Sequence, residues 1–124
     1  MGLDAGGGGG SALLIEIGSG RVVTASRRWT HRPVVDSGGW GYDLDLGRCW
    51  SLLVEAVREA LKRADATPDQ VLGVAATSMR HTTIVLERDG RAILATPNRD
   101  ARAAAEGMQL AAEHGAEFHR RTGH

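Results

Sequence analysis

The chain opens Met1-Gly-Leu-Asp-Ala-Gly-Gly-Gly-Gly-Gly-Ser-Ala12, and the fold turns on how this stretch is read. One carboxylate, Asp4, stands a single residue before five consecutive glycines, Gly6 to Gly10. An apolar run, Ala12 to Ile17, follows at once; Gly18 and Gly20 close it, and a second begins at Val22. The pattern predicts a glycine-rich approach to a hairpin of two strands. Glycine admits positive φ and lets a ligand come close to peptide N–H groups. Successive N–H groups turned inward make an anion site. A carboxylate beside them can hold a hydrated magnesium, which prefers oxygen ligands and keeps several waters. The stretch therefore reads as a phosphate-binding loop with Asp4 near the metal. The same five glycines also have the composition of a flexible linker.

Two better-marked phosphate loops do not fit. A P-loop needs a Lys-Ser/Thr pair after the glycines, and Ser11 has no Lys before it. The strict Gly-x-Gly-x-x-Gly pattern fails in every register. Its relaxed form through Gly7, Gly9 and Ala12 needs a helix next, whereas Leu13-Leu-Ile-Glu-Ile17 before Gly18 is a strand pattern.

The totals narrow the classes. A length of 124 residues suffices for one modest domain. Fifteen basic and fifteen acidic side chains cancel, which argues against nucleic acid and a polybasic membrane contact as partners. No apolar run reaches the length of a membrane span, and no signal peptide is expected. Cys49 is the single cysteine, so no intrachain disulfide forms, which suits a reducing cytoplasm. A hydrophobic share of 42% argues for a folded body over disorder.

Outward from the glycines, Arg21 to Thr30 reads as the second strand, broken by His31-Arg-Pro33. Asp36 to Tyr42 reads as a loop in which Trp40 and Tyr42 are anchors rather than ligand contacts. Trp50, Leu53, Val54, Val57 and Leu61 form a helical stripe. Asp45 is its expected N-cap, and Arg58, Lys62 and Arg63 complement the dipole at the other end. Thr67-Pro68 ends the element, and Cys49 reads as a structural thiol. Val71 to Thr77 reads as a buried central strand parallel to the first. Thr82 to Glu87 and Arg91 to Ala95 read as a hairpin turning at Arg88-Asp-Gly90. A helix is expected from Ala101 towards Glu113, with Gly115 as its stop.

Two polar groups remain. Ser78-Met-Arg-His81 follows the buried strand, and in open α/β sheets ligands bind outside the carboxyl ends of strands. Arg80 can make forked hydrogen bonds to a polyol or carboxylate, and His81 can donate to or accept from a hydroxyl. A solvated strand end is the plainer reading. In Asn98-Arg-Asp-Ala-Arg102, Asp100 can cap the helix and Arg102 can pair with Asp100 or Glu106.

In order, these segments resemble the start of the FGGY family of ATP-dependent carbohydrate kinases. Asp4-Ala-Gly6 and the following glycines resemble the family's Asp-x-Gly-Thr phosphate hairpin. Gly39 to Asp45 followed by Trp50 resembles its loop and helix entry. Ser78 to Glu87 resembles the substrate strand with its hairpin. Asn98 to Arg102 resembles the Trp-x-Asp-x-Arg element, and Thr122-Gly123 the Thr-Gly after it. Within the family, Leu3 to Gly6, Trp29 to His31, Ser78 to Arg80 and Asn98 to Ala103 are similar to autoinducer-2 kinase patterns. The family's Thr is Gly7 here, its Arg is Ser11, and autoinducer-2 kinases have Glu where His81 stands.

The resemblance implies an α/β, actin-like ATPase (ribonuclease H-like) domain, a mixed sheet with flanking helices, incomplete, with residues 1–124 forming the N-terminal portion of the first kinase domain. It implies ATP and Mg2+ as cofactors, with Asp4, Gly6, Gly7 and Gly8 binding the nucleotide and Asp4 the metal. Arg80, His81, Asn98, Asp100 and Arg102 would form the wall for a small sugar, polyol or autoinducer-2-like substrate. The catalytic aspartate is expected beyond the chain end, so this chain alone is expected to be inactive. A cytoplasmic location is implied, with room for a homodimer at full length. The competing reading is a non-catalytic remnant or small binding module.

Overall fold

A computed structural model of the protein describes residues 1–123. In chain order its strands and helices are β1 (Gly2–Ala5), β2 (Gly9–Ile15), β3 (Val22–Arg28), β4 (Arg32–Pro33), β5 (Tyr42–Asp43), α1 (Leu46–Ala64), β6 (Ala75–Ser78), β7 (Thr83–Leu86), β8 (Ala92–Thr96) and α2 (Ala104–Thr122). The main sheet runs β3-β2-β1-β6. β1 pairs antiparallel with β2 and parallel with β6, so the sheet is mixed. β4–β5 and β7–β8 are separate two-stranded ladders.

The glycine run differs from its reading. The expected β2–β3 hairpin forms, but the glycines do more than approach it: they are the turn of a preceding hairpin, with β1 before them and β2 already begun at Gly9. Asp4 lies opposite Ser11 and Ala5 opposite Gly10. Four residues, Gly-Leu-Asp-Ala, are too few to display alternation. β1 is a strand because it gains ladder partners on both sides.

α1 forms where expected. Asp45 caps it, its side chain accepting the Arg48 amide N–H at 2.9 Å. Asp65, left-handed at φ 55°, ends it. The buried face is Leu53, Ala56 and Ala60, with Val57 partly covered, and it lies against Ala12 and Ala25 of β2 and β3. Trp50, placed on the stripe by its spacing, is 67% exposed. Small side chains on both surfaces let helix and sheet approach closely, so alanines rather than the largest residues define the contact.

Three further expectations change. Val71 to Thr77 is not a buried central strand parallel to the Ala12–Ile17 run: β6 is Ala75–Ser78, exposed, at the sheet edge, parallel to β1 and opposite in direction to β2. A continuous apolar strand is buried only when both faces are covered, and α1 covers β2 and β3. Gly115 does not stop the last helix, which runs through it to a left-handed cap at Gly123. A glycine inside a helix costs about 1 kcal/mol relative to alanine, which a helix of this length tolerates. Asp100 is not that helix's N-cap; Ala103 is, without a side-chain bond.

Among the described residues, no helix is long and apolar enough to cross a membrane.

Candidate active site

The glycine turn is shaped by space rather than by φ. None of Gly6 to Gly10 lies in the left-handed region. A Cβ at Gly9 would stand 2.5 Å from the Arg27 carbonyl oxygen, and one at Gly10 would stand 2.7 Å from the Trp29 ring. Those two glycines admit the crossing backbone and the indole. The Gly6 N–H donates to the Gly9 carbonyl at 2.9 Å and closes the turn. The Gly8 carbonyl accepts the Trp29 N–H at 3.2 Å, and the Gly7 carbonyl lies 2.7 Å from His31 Nε2. The N–H groups of Gly7 and Gly8 take part in no hydrogen bond among the described residues. Asp4, exposed, sits at the foot of the turn, with Oδ2 3.6 Å from the position of a Gly6 Cβ.

Because β1 and β6 are parallel, the segments that follow them leave the same end of the sheet. Ala5 pairs with Ser78, and the Met79 N–H donates to the Ala5 carbonyl at 3.0 Å. The Arg80-His81 turn therefore lies beside the glycine turn. Both side chains are exposed and make no hydrogen bond among the described residues. His81 holds a positive φ of 59°, a region costly for most side chains and one in which His is enriched. Asn98 also reaches the glycine turn: its Oδ1 lies 3.4 Å from where a Gly7 Cβ would stand. A threonine at position 7 would need that space.

Asp100 and Arg102 brace the loop before α1. Asp100 Oδ1 accepts the Tyr42 N–H and Arg102 Nε, each at 2.7 Å. Arg102 Nη2 donates to the Tyr42 carbonyl at 2.7 Å and to Asp43 Oδ1 at 2.8 Å. Of the two pairings open for Arg102, the Asp100 one is made. Arg99 stacks on Tyr42 with its guanidinium carbon 3.9 Å from the ring centroid. Tyr42 is thus an anchor, as expected, whereas Trp40 is 63% exposed. Burial pushes the Asp100 carboxyl up, but the bonds from Tyr42 and Arg102 outweigh it and hold the group below the usual carboxylate range. The bond to Asp43, then that to Asp100, raises Arg102. Burial, then the charge of Asp45, raises the Cys49 thiol, which suits a structural role.

Sequence reasoning did not assign a role to Trp29 or His31. Both are buried directly after β3, the strand that pairs with Gly9 and Gly10, and no local sequence signal marks that contact.

No protein-family model matches the chain. Autoinducer-2 kinases from Photorhabdus laumondii and Escherichia coli are 34% and 35% identical to it over 118 residues, 95% of this chain. The chain spans 22% of each, about a fifth of their length. Among solved structures, a xyloylose kinase from Brucella ovis superposes with a TM-score of 0.77 at 23% identity, over 96% of this chain and 24% of that one. A gluconate kinase from Lactobacillus acidophilus gives 0.71 at 17%, over 96% and 23%. The chain is homologous to the N-terminal part of FGGY-family carbohydrate kinases. The FGGY relationship carries the fold, a mixed sheet flanked by helices as in sugar kinases, and a family-level link to ATP-dependent sugar phosphorylation. The glycine turn offers the Gly7 and Gly8 N–H groups as uncommitted donors among the described residues. No group of three or more metal-ligating side chains occurs among the described residues.

Proposed function

We propose that this chain is the N-terminal part of an ATP-dependent kinase that phosphorylates a hydroxyl of a small linear sugar, polyol or autoinducer-2-like molecule. Residues 1–124 are the N-terminal portion of its first domain. The observation that carries the reading is the turn at Gly7 and Gly8, whose N–H groups are uncommitted at the sheet end shared with Arg80, His81 and Asn98. ATP supplies the phosphoryl group, and magnesium offsets its charge. Gly6, Gly7 and Gly8 line the phosphates, and Asp4 holds the metal through its carboxylate. Arg80 gives a sugar several donors in a fixed fork; His81 and Asn98 supply further polar contacts. Asp100 and Arg102 keep the wall in place by tying it to Tyr42 and Asp43. The general base that would take the hydroxyl proton lies outside this segment, so the chain alone does not turn over.

The test is calorimetric and enzymatic. Mg·ATP should bind the chain, binding should weaken in Asp4→Ala, and no sugar should be phosphorylated by either protein. Equal binding by both proteins would remove Asp4 from the site. Steady ATP-dependent product formation by the chain would overturn the claim that its base lies elsewhere.

A further inference from the structure

We propose that Trp29-Thr-His31 is a clamp that shapes the glycine turn for phosphate, with His31 as the positioning residue. The ligand rests on the phosphate-loop reading above; the geometry does not. Trp29 and His31 are 4% and 9% exposed, unlike the turn they touch. A carbonyl oxygen can only accept, so the 2.7 Å contact to Gly7 requires the imidazole proton on Nε2. The trans peptide unit is planar, with C=O and N–H pointing to opposite sides. Drawing the Gly7 carbonyl onto His31 therefore turns the Gly8 N–H away from His31. Gly8 is exposed, with nothing within 4 Å of an added Cβ. One histidine thus aims one uncommitted donor outward. Trp29 acts beside it, holding the Gly8 carbonyl through its N–H and filling the space left by Gly10.

Packing alone does not account for these residues. Trp29 Nε1 and His31 Nδ1 are buried without a hydrogen-bond partner among the described residues. A buried unpaired polar group is costly, and phenylalanine would fill much of the same volume without it. The histidine has a reason to be there in the bond it makes at its other nitrogen.

The experiment compares the wild-type chain with His31→Phe, which keeps a ring but loses the donor, and His31→Gln, which keeps a donor. Without ligand, His31→Phe should speed amide exchange at Gly6 about tenfold while β2–β3 exchange stays unchanged. His31→Gln should recover much of this. With magnesium pyrophosphate as probe, the Gly8 amide resonance should shift in wild type. Affinity should fall about tenfold in His31→Phe and recover in part in His31→Gln. Unchanged Gly6 exchange in His31→Phe, or loss spread equally over β2 and β3, overturns the clamp. If wild-type Gly8 ignores pyrophosphate, the phosphate reading fails, and exchange alone judges the clamp. If His31→Phe does not fold, the imidazole nitrogen resonances of wild type decide: a proton on Nε2 supports the clamp, and one on Nδ1 alone contradicts it.

Discussion

The two halves of the molecule use similar amounts of apolar side chain very differently. All the buried hydrophobic core residues from Ala12 to Ala60 lie in the first half. In the second half α2 buries nothing, and Ile84, Leu86, Ile93, Met108, Leu110 and Phe118 are exposed. The first half closes on itself because α1 returns over β2 and β3. The second is joined to it by backbone and polar pins: β6 along β1, Leu44 N–H to Ala95 at 2.9 Å, Ala101 N–H to Trp40 at 2.8 Å, and the Asp100–Arg102 network. An amphipathic pattern creates an element; a partner surface is what makes it core. The glycine turn belongs to the packed half, while Arg80, His81 and Asn98 belong to the pinned one.

The largest expected effect lies in the packed half. Gly10→Val puts a branched side chain into the Trp29 ring and Leu53, and should cost about 3 kcal/mol in denaturant unfolding. A cost below that of a surface change would mean that the indole moves aside and the half is loosely packed. Next is the α1 cap: Asp45→Ala should cost about 1 kcal/mol by the same measurement.

The pins come third. Asp100→Asn should raise amide exchange at Tyr42 several-fold, with little change in α1. The carboxyl is held below its ordinary range in the folded chain, so the unfolded chain takes up the proton at higher pH. Its contribution is fully present above the unfolded value of about 3.9 and is lost as pH falls through the depressed folded value. Wild type should therefore lose stability more steeply than Asp100→Asn across that acid window. Matching acid slopes would mean that the pin carries no weight. The smallest effect is expected on α2, where Leu110→Ala should change stability by less than about 0.5 kcal/mol. A core-sized loss there would erase the contrast between the halves.

What was legible in the sequence follows the same division. Asp45 and the β7–β8 turn at Gly90 carry local signals, and each is found. β1 was hidden because its four residues owe their strand form to neighbours distant in sequence. The α1 interface was misjudged because alanine burial leaves a weak hydrophobic signature beside Trp50. Gly115 misled because a glycine marks a helix end only when the chain turns left-handed there, and that happens at Gly123. Of the candidate site, Asp4, the glycines, Arg80 and Asn98 were legible as residue types in a family order. The His31 contact was not, since nothing local ties a histidine to a carbonyl 24 residues earlier.

The central claim is that the uncommitted N–H groups of Gly7 and Gly8 receive the phosphates of Mg·ATP. Residue-resolved amide exchange of the chain with and without Mg·ATP tests it most directly. Slowing confined to Gly6–Gly9 and adjoining residues, absent with magnesium alone and reduced in Asp4→Ala, is the predicted result. Unchanged exchange at Gly7 and Gly8 while protection appears elsewhere on the chain would contradict it.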